Sequence, residues 1–184
     1  MTTKQISIET IAANSSKAMD RIQESIFKTP LLPSMRYGSK LMFKAENFQE
    51  TGSFKIRGAL SKLTALAKEK NLDEVKFITA SSGNHGIACS KASSILGASL
   101  TVVLPKTVAK IKLERIKGFG VQVLIEGDES GQAELYAQKL SKEKGYFYIS
   151  PYNDLDVIAG QGTIGLELIE QMKKESNNEY QRIH

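Results

Sequence analysis

Cysteine, tryptophan and histidine are scarce in this 184-residue sequence, and each scarcity excludes a class of protein. One cysteine, Cys89, cannot form an internal disulfide, which excludes a disulfide scaffold and favours a reducing compartment. With only His85 and His184, the chain has no histidine-rich metal site, and we predict no bound metal. Tryptophan is absent and the aromatic residues do not alternate with basic ones, which argues against a stacking platform for single-stranded nucleic acid.

Long hydrophobic runs are also missing. No stretch approaches the roughly 20 apolar residues of a membrane span, and the first ten residues, MTTKQISIET, lack the apolar run of a signal sequence. The net charge of +5 comes from dispersed lysines, which favours solvated helix faces over a nucleic-acid surface. We therefore expect a cytoplasmic protein whose partner is a small molecule, with neither nucleic acid nor membrane.

Apolar residues follow an order in which helices and strands alternate. Helical spacing covers 6–26, 56–66, 86–96, 111–116, 133–140 and 155–172. Short apolar runs predict strands at 41–44, 76–80, 99–104, 121–125 and 146–149. Because helices separate the last four strands, the sequence predicts an α/β fold with a parallel, twisted sheet and flanking helices.

Three glycines interrupt the last helical segment. Gly160, Gly162 and Gly165 each cost a helix roughly 1 kcal/mol relative to alanine. Their presence predicts that another part of the molecule approaches this backbone closely.

The stretch SSGNHG, residues 81–86, follows a predicted strand and opens a predicted helix. In a parallel sheet this is where ligands bind. Its glycines tolerate left-handed geometry, and its hydroxyl and amide groups lie beside unsatisfied helical N–H donors, so it is a candidate anion site. The alternative is an ordinary capped turn, and the residues alone leave both open.

A second loop, TGSFKIRGA, has similar features. Thr51, Gly52 and Ser53 predict a turn and helix N-cap, which places Lys55 in the first helical turn. Desolvation and the positive end of the helix dipole both favour the neutral amine, which is the form that makes an imine with a carbonyl. The alternative is a surface lysine that extends into water.

Together the two loops resemble a known family. KAENFQETGSFKIRGA followed by SSGNHGIA, and then GASLTVVLPKTVAKIKLERIKGFGVQVLIEGD and PYNDLDVIAGQGTIGLELI, resemble the pyridoxal-phosphate enzymes of the tryptophan-synthase-β-like class (fold type II). The closest resemblance is to the threonine/serine dehydratase and serine racemase family, over about residues 27 to 170. Cysteine and threonine synthases of this class resemble one another in carrying an aspartate where this chain has Ile56.

The resemblance implies a cofactor, pyridoxal 5'-phosphate, and roles for three residues toward it. Lys55 would form the imine with the cofactor and afterwards move the substrate's α-proton. Phe54 would pack beside the lysine, and Asn84 would hydrogen-bond the cofactor's ring hydroxyl.

The resemblance also implies a substrate and a reaction. The loop formed by Ser81, Ser82, Gly83, Asn84 and His85 would hold the carboxylate of L-threonine or L-serine. The implied reaction is deamination to a 2-oxo acid and ammonia. A serine racemase-like isomerase is the alternative, with Ser82 as the base on the opposite face of the substrate.

The resemblance further divides the chain into 1–50, which would belong to a large domain, 51–150 as the small α/β domain, and 151–184 as the truncated start of the large domain. Family members usually continue into a GGGG loop that binds the cofactor phosphate, and this sequence contains no such run. We therefore expect the chain alone to bind the cofactor weakly, and a homo-oligomer or a complementing C-terminal half to be its partner. The alternative from a different class is an inactive fragment or binding module.

Overall fold

The computed structural model describes residues 7–176, and within them the chain forms six strands and six α-helices. The strands are β1 (Leu31–Ser34), β2 (Gly38–Lys44), β3 (Lys76–Ala80), β4 (Ser99–Leu104), β5 (Gln122–Ile125) and β6 (Phe147–Tyr148). The helices are α1 (Ile8–Ile22), α2 (Lys55–Ala67), α3 (Asn84–Leu96), α4 (Lys110–Lys117), α5 (Ser130–Lys144) and α6 (Leu155–Ser176).

The predicted parallel sheet is confirmed, with strand order β5-β4-β3-β6. Strand β2, which the sequence also predicted, pairs instead with β1 in a separate antiparallel hairpin. The sequence analysis missed β1, because LLPS is only four residues long and carries a proline, which interrupts the usual signal of a strand.

Helices cover both faces of the parallel sheet. Side chains of adjacent strand residues point to opposite faces, so Phe77 and Val102 join the core beneath α2 and α3, whereas Ile78 and Val103 pack against α5. All four side chains are fully buried, and so is Cys89, as its apolar surroundings predicted. This two-sided burial explains why β3 and β4 read as continuous apolar runs.

The glycines of α6 allow it to lie close to two other helices. A Cβ atom on Gly160 would come within 2.7 Å of the Cα atom of Gly58 in α2, and one on Gly162 would collide with the Ser15 hydroxyl in α1. The predicted close approach is therefore confirmed for these two residues. It is wrong for Gly165, around which a Cβ would meet nothing within 4 Å.

Helix α6 buries part of its apolar surface and exposes the rest to solvent. Ile158, Ile164 and Leu168 are half-buried, whereas Ile169 is 56% exposed. None of the helices in the described part of the chain is both long and apolar enough to cross a bilayer.

Candidate active site

The two loops singled out in the sequence meet at one cavity of about 320 Å³, at the carboxyl end of β3. Lys55 enters from the start of α2, and residues 81–85 enter from the loop between β3 and α3. The remaining wall comes from Ala80, Ser130, Glu134, Pro151 and Tyr152. The parallel sheet brings these segments together because its carboxyl ends share one edge.

The 81–86 loop leaves the first turn of α3 without a side-chain cap. Gly83 occupies the cap position in an extended conformation, and the Ser81 hydroxyl accepts from the Gly83 N–H at 3.2 Å. The ordinary capped turn is therefore absent at this helix, and residues 83–85 at its start line the cavity. Such a helix start favours an anion.

The last glycine of this loop is required by packing. A Cβ atom on Gly86 would overlap the carbonyl group of Ser81. Gly83 and Gly86 tolerate left-handed geometry, but neither has a positive φ here. Close approach of the loop to its own helix is the reason for the glycine at 86.

His85 holds the loop to the end of β6. Its ring is buried, and Nε2 lies 3.3 Å from the carbonyl oxygen of Ile149, which can only accept, so Nε2 carries the proton. Burial lowers the pKa of His85 to about 4, and the positive charge of Lys55 adds to this effect. The imidazole is therefore neutral at pH 7 and fixes the loop through one hydrogen bond.

Lys55 is the first residue of α2, and its amine has few hydrogen-bond partners. Nζ donates one long hydrogen bond, 3.3 Å, to the Pro151 carbonyl, and lies 5.2 Å from the ring centroid of Phe54 and 5.7 Å from that of Tyr152. No carboxylate of residues 7–174 forms an ion pair with it. The amine is thus free to react and is partly covered by two aromatic rings.

The predicted turn before α2 is present, but its predicted N-cap is not. Gly52 has φ +75°, and Phe54 adopts helical angles at the cap position, so no side chain caps the helix. The Ser53 hydroxyl is buried and makes no hydrogen bond with the described residues. This unpartnered hydroxyl lies two residues before Lys55.

Arg57 follows Lys55 by two residues, but its side chain is fully buried. The guanidinium donates two hydrogen bonds of 2.8 Å to Glu46, and bonds of 2.7 and 3.0 Å to the two carboxylate oxygens of Glu167 in α6. Burial alone would lower the pKa of Arg57, but the bonds to both carboxylates outweigh this and raise it. This buried ion network ties α2, which carries Lys55, to α6.

Sequence reasoning missed five residues of the cavity: Ala80, Ser130, Glu134, Pro151 and Tyr152. Ser130 and Glu134 lie one turn apart near the start of α5, and Pro151 and Tyr152 follow β6. Their positions after β5 and β6 were the available signal, since ligands in parallel sheets bind at the carboxyl ends of strands.

The fold and the cavity define a class: a parallel α/β protein in which a lysine amine and an uncapped helix start line the same cavity. The chain belongs to the family of pyridoxal-phosphate dependent enzymes, whose family model matches residues 22–179. This confirms the resemblance, the fold class and the cofactor inferred from the sequence.

Individual relatives show which members of the family the chain is similar to. The chain is 36% identical over 181 residues to the catabolic L-threonine dehydratase of Staphylococcus aureus (strain USA300), covering 94% of this chain and 52% of that protein. It superposes on the processed form of threonine deaminase isoform 2 from Solanum lycopersicum with TM-score 0.82 at 30% identity, covering 92% and 47% of the two chains. For maize serine racemase the TM-score is 0.79 at 32% identity, covering 89% and 50%. The chain thus spans about half the length of these proteins.

The cavity residues fit pyridoxal phosphate by their chemistry. Lys55 supplies an amine for the cofactor's aldehyde, and Asn84 supplies an amide at the uncapped start of α3. Lys55 and Asn84 line the cavity, whereas Phe54 lies beside the Lys55 amine but is not part of the cavity wall.

Proposed function

We propose that this chain supplies the reactive lysine and the substrate loop of a pyridoxal-phosphate dependent ammonia-lyase, which deaminates L-threonine or L-serine to a 2-oxo acid and ammonia. The observation that carries the proposal is the shared cavity, in which the Lys55 amine and the uncapped start of α3 face the same space. The similarity to threonine dehydratase and threonine deaminase supports the choice of reaction.

Each side of the cavity has a separate task in this reaction. The bound cofactor supplies an electron sink for the substrate's α-carbon. Backbone N–H groups at the start of α3, with Ser81 and Asn84, bind the substrate carboxylate. Lys55 Nζ takes the α-proton, because it is the amine among the residues that line the cavity. The rings of Phe54 and Tyr152 lie beside that amine.

Chemical labelling tests the lysine. The chain, supplied with a family C-terminal half, is incubated with pyridoxal phosphate, reduced with borohydride and digested, and the labelled peptide is identified by mass spectrometry. We expect the label on Lys55 and its loss in Lys55→Ala, whereas Lys68→Ala, which changes an exposed lysine at the end of α2, keeps it. A label on another residue, or none, contradicts the proposal.

Racemisation is the second candidate, because Ser82 also lines the cavity and serine racemase is a structural relative. Chiral analysis of the products from L-serine separates the two reactions. If Ser82 is the second base, Ser82→Ala abolishes D-serine formation but leaves formation of the 2-oxo acid largely intact. An unchanged yield of D-serine contradicts that role.

Cofactor retention is a further part of the proposal. A doubly charged phosphate needs a set of N–H donors, and this sequence contains no GGGG run. We therefore infer weak cofactor binding by the chain alone and tighter binding when a family C-terminal half is supplied. We also propose the domain division of the family resemblance: 1–50 and 151–184 as parts of a large domain, and 51–150 as a small domain. Formation of 2-oxobutanoate from threonine, with and without that half, measures this. Label at Lys55 without product in both cases would favour a binding module.

A further inference from the structure

Glu134 is an acidic residue of the cavity wall for which the proposed mechanism has no task. It lies in α5, one turn after Ser130, and both residues face the cavity that contains Lys55. Its side chain is half-buried, and it forms no ion pair with any lysine or arginine in the part of the chain that the structure describes. Glu134 therefore contributes to the cavity wall a carboxylate that no described lysine or arginine pairs with.

Two neighbours fix the orientation of this carboxylate. The Tyr148 hydroxyl donates to Oε1 at 3.0 Å, and Gln138 Nε2 donates to the same oxygen at 3.3 Å. Burial raises the pKa of Tyr148, and the adjacent Glu134 raises it further, so the hydroxyl keeps its proton and remains a donor. Both bonds go to Oε1, and Oε2 accepts no hydrogen bond from the residues that the structure describes. Oε2 is therefore available to a ligand.

The charge of this side chain discriminates between substrates. All α-amino acids share the carboxylate that the start of α3 would bind, so they differ at this wall only in their side chains. A carboxylate oxygen accepts a strong hydrogen bond from a hydroxyl group. The same oxygen repels an anionic side chain at close range.

We infer that Glu134, oriented by Tyr148, is a specificity-determining residue that favours amino acids with hydroxyl side chains over those with carboxylate side chains. This inference rests on the proposed function, since it assumes that an amino acid binds beside Lys55. It names the substrate class of that site as serine and threonine, with aspartate excluded by charge.

The test compares affinities for L-serine and L-aspartate in the chain supplied with pyridoxal phosphate and a family C-terminal half. Both dissociation constants are measured by NMR from the shifts of the backbone amides of residues 81–85, a signal that does not require turnover. Glu134→Gln removes the charge and keeps the shape. Glu143→Gln, on an exposed position of the same helix, is the matched control.

We expect wild-type protein to bind L-serine more tightly than L-aspartate, and Glu134→Gln to reduce that preference about tenfold, as expected for one unit charge at close range. Glu134→Asp should retain the preference, and Tyr148→Phe should weaken it about threefold, because the carboxylate is then less well held. The control should match wild type. Tyr148→Phe and Glu134→Asp also allow the test if Glu134→Gln does not fold.

The outcomes separate this inference from the proposed function. If serine binds and is deaminated but the preference is unchanged in Glu134→Gln, the role of Glu134 is wrong and the proposed function stands. If neither amino acid shifts the loop amides, both are wrong. A purely structural Glu134 would lower stability in the variant without changing the ratio of the two dissociation constants.

Discussion

Lys55 and Arg57 lie two residues apart on α2, and their side chains have opposite environments. The amine of Lys55 makes one long hydrogen bond and faces a cavity, whereas Arg57 is fully buried between two carboxylates. The difference shows how one helix serves two purposes. Its body is fixed by a network of charges, and its first residue remains free for chemistry.

The helices also differ in how their first turns are capped. Helices α2 and α3, which face the cavity, have no side-chain cap. Helix α6 is capped by Asp154, whose Oδ1 accepts from the N–H groups of Asp156 at 2.9 Å and Val157 at 3.2 Å. Side-chain caps are thus absent at the two helix starts that contribute to the cavity, and also at α4 outside it, whereas α6 has one.

The largest effect on stability should come from Arg57. Arg57→Met leaves Glu46 and Glu167 without their main cation, and we expect a loss of about 3 to 5 kcal/mol in the free energy of unfolding. Lys55→Met should change it by less than about 1 kcal/mol, although it abolishes labelling by the cofactor. Urea unfolding of both variants measures the contrast. Equal losses of unfolding free energy in the two variants would contradict a structural role for Arg57 that Lys55 lacks.

The next effect is the pH dependence due to His85. The pKa of this histidine falls from an ordinary 6.5 to about 4 in the folded chain, so the unfolded chain binds the proton first as pH falls. Its contribution to stability is complete above pH 6.5 and is lost as pH falls toward 4, by at most roughly 3 kcal/mol.

Unfolding curves of wild type and His85→Gln between pH 7 and pH 4 test this contribution. The wild-type protein should lose more stability over that interval than the variant, since His184 is the only other histidine. Parallel pH profiles would mean that His85 titrates normally and is not held in its buried, neutral form.

A smaller effect is expected at the contact between α2 and α6. Gly160→Ala places a methyl group 2.7 Å from Ser61 Cβ and from Gly58 Cα, and we expect a loss of about 1 to 3 kcal/mol. Gly165→Ala is the matched control on the same helix, where open space should allow a gain of up to about 1 kcal/mol. Thermal unfolding of both variants gives the two signs, and the same sign for both would contradict the packing described.

The smallest effect concerns the cap of α6. Asp154→Ala removes the cap and an ion pair of 2.9 Å with Lys62, and we expect a loss of about 1 to 2 kcal/mol. Asp128→Ala, which removes an exposed ion pair with Lys106, should have almost no effect. Urea midpoints distinguish them. No loss at Asp154 would show that α6 needs its cap no more than α2 and α3 do.

The elements predicted best are those whose apolar runs are longest. Strands β3 and β4 begin and end where the sequence predicted, because both faces of these strands are buried and turn residues bound them. Strand β1 escaped prediction, since a short segment with Pro33 becomes a strand only by pairing with β2. Pairing partners lie far along the chain for most strands, and local patterns carry no information about them.

Some residues of the candidate site were likewise predictable from the sequence, and others were not. Lys55 and the 81–85 loop were predicted from local features and from the family resemblance, and their meeting in one cavity followed from the sheet order. Glu134 and Tyr152 have no distinctive local pattern, so only the folded chain shows that they line the same cavity. The roles assigned to individual residues remain predictions for the experiments above.

By itself, the sequence determined the parallel α/β fold, the family and the two loops of the candidate site, because periodic burial and glycine-rich turns are local properties of the chain. Only the tertiary structure decided that Arg57 is buried beside an available Lys55, that α2 and α3 lack caps, and that Glu134 faces the cavity. Burial and the pairing of charges depend on residues distant in sequence, and folding alone brings those residues together.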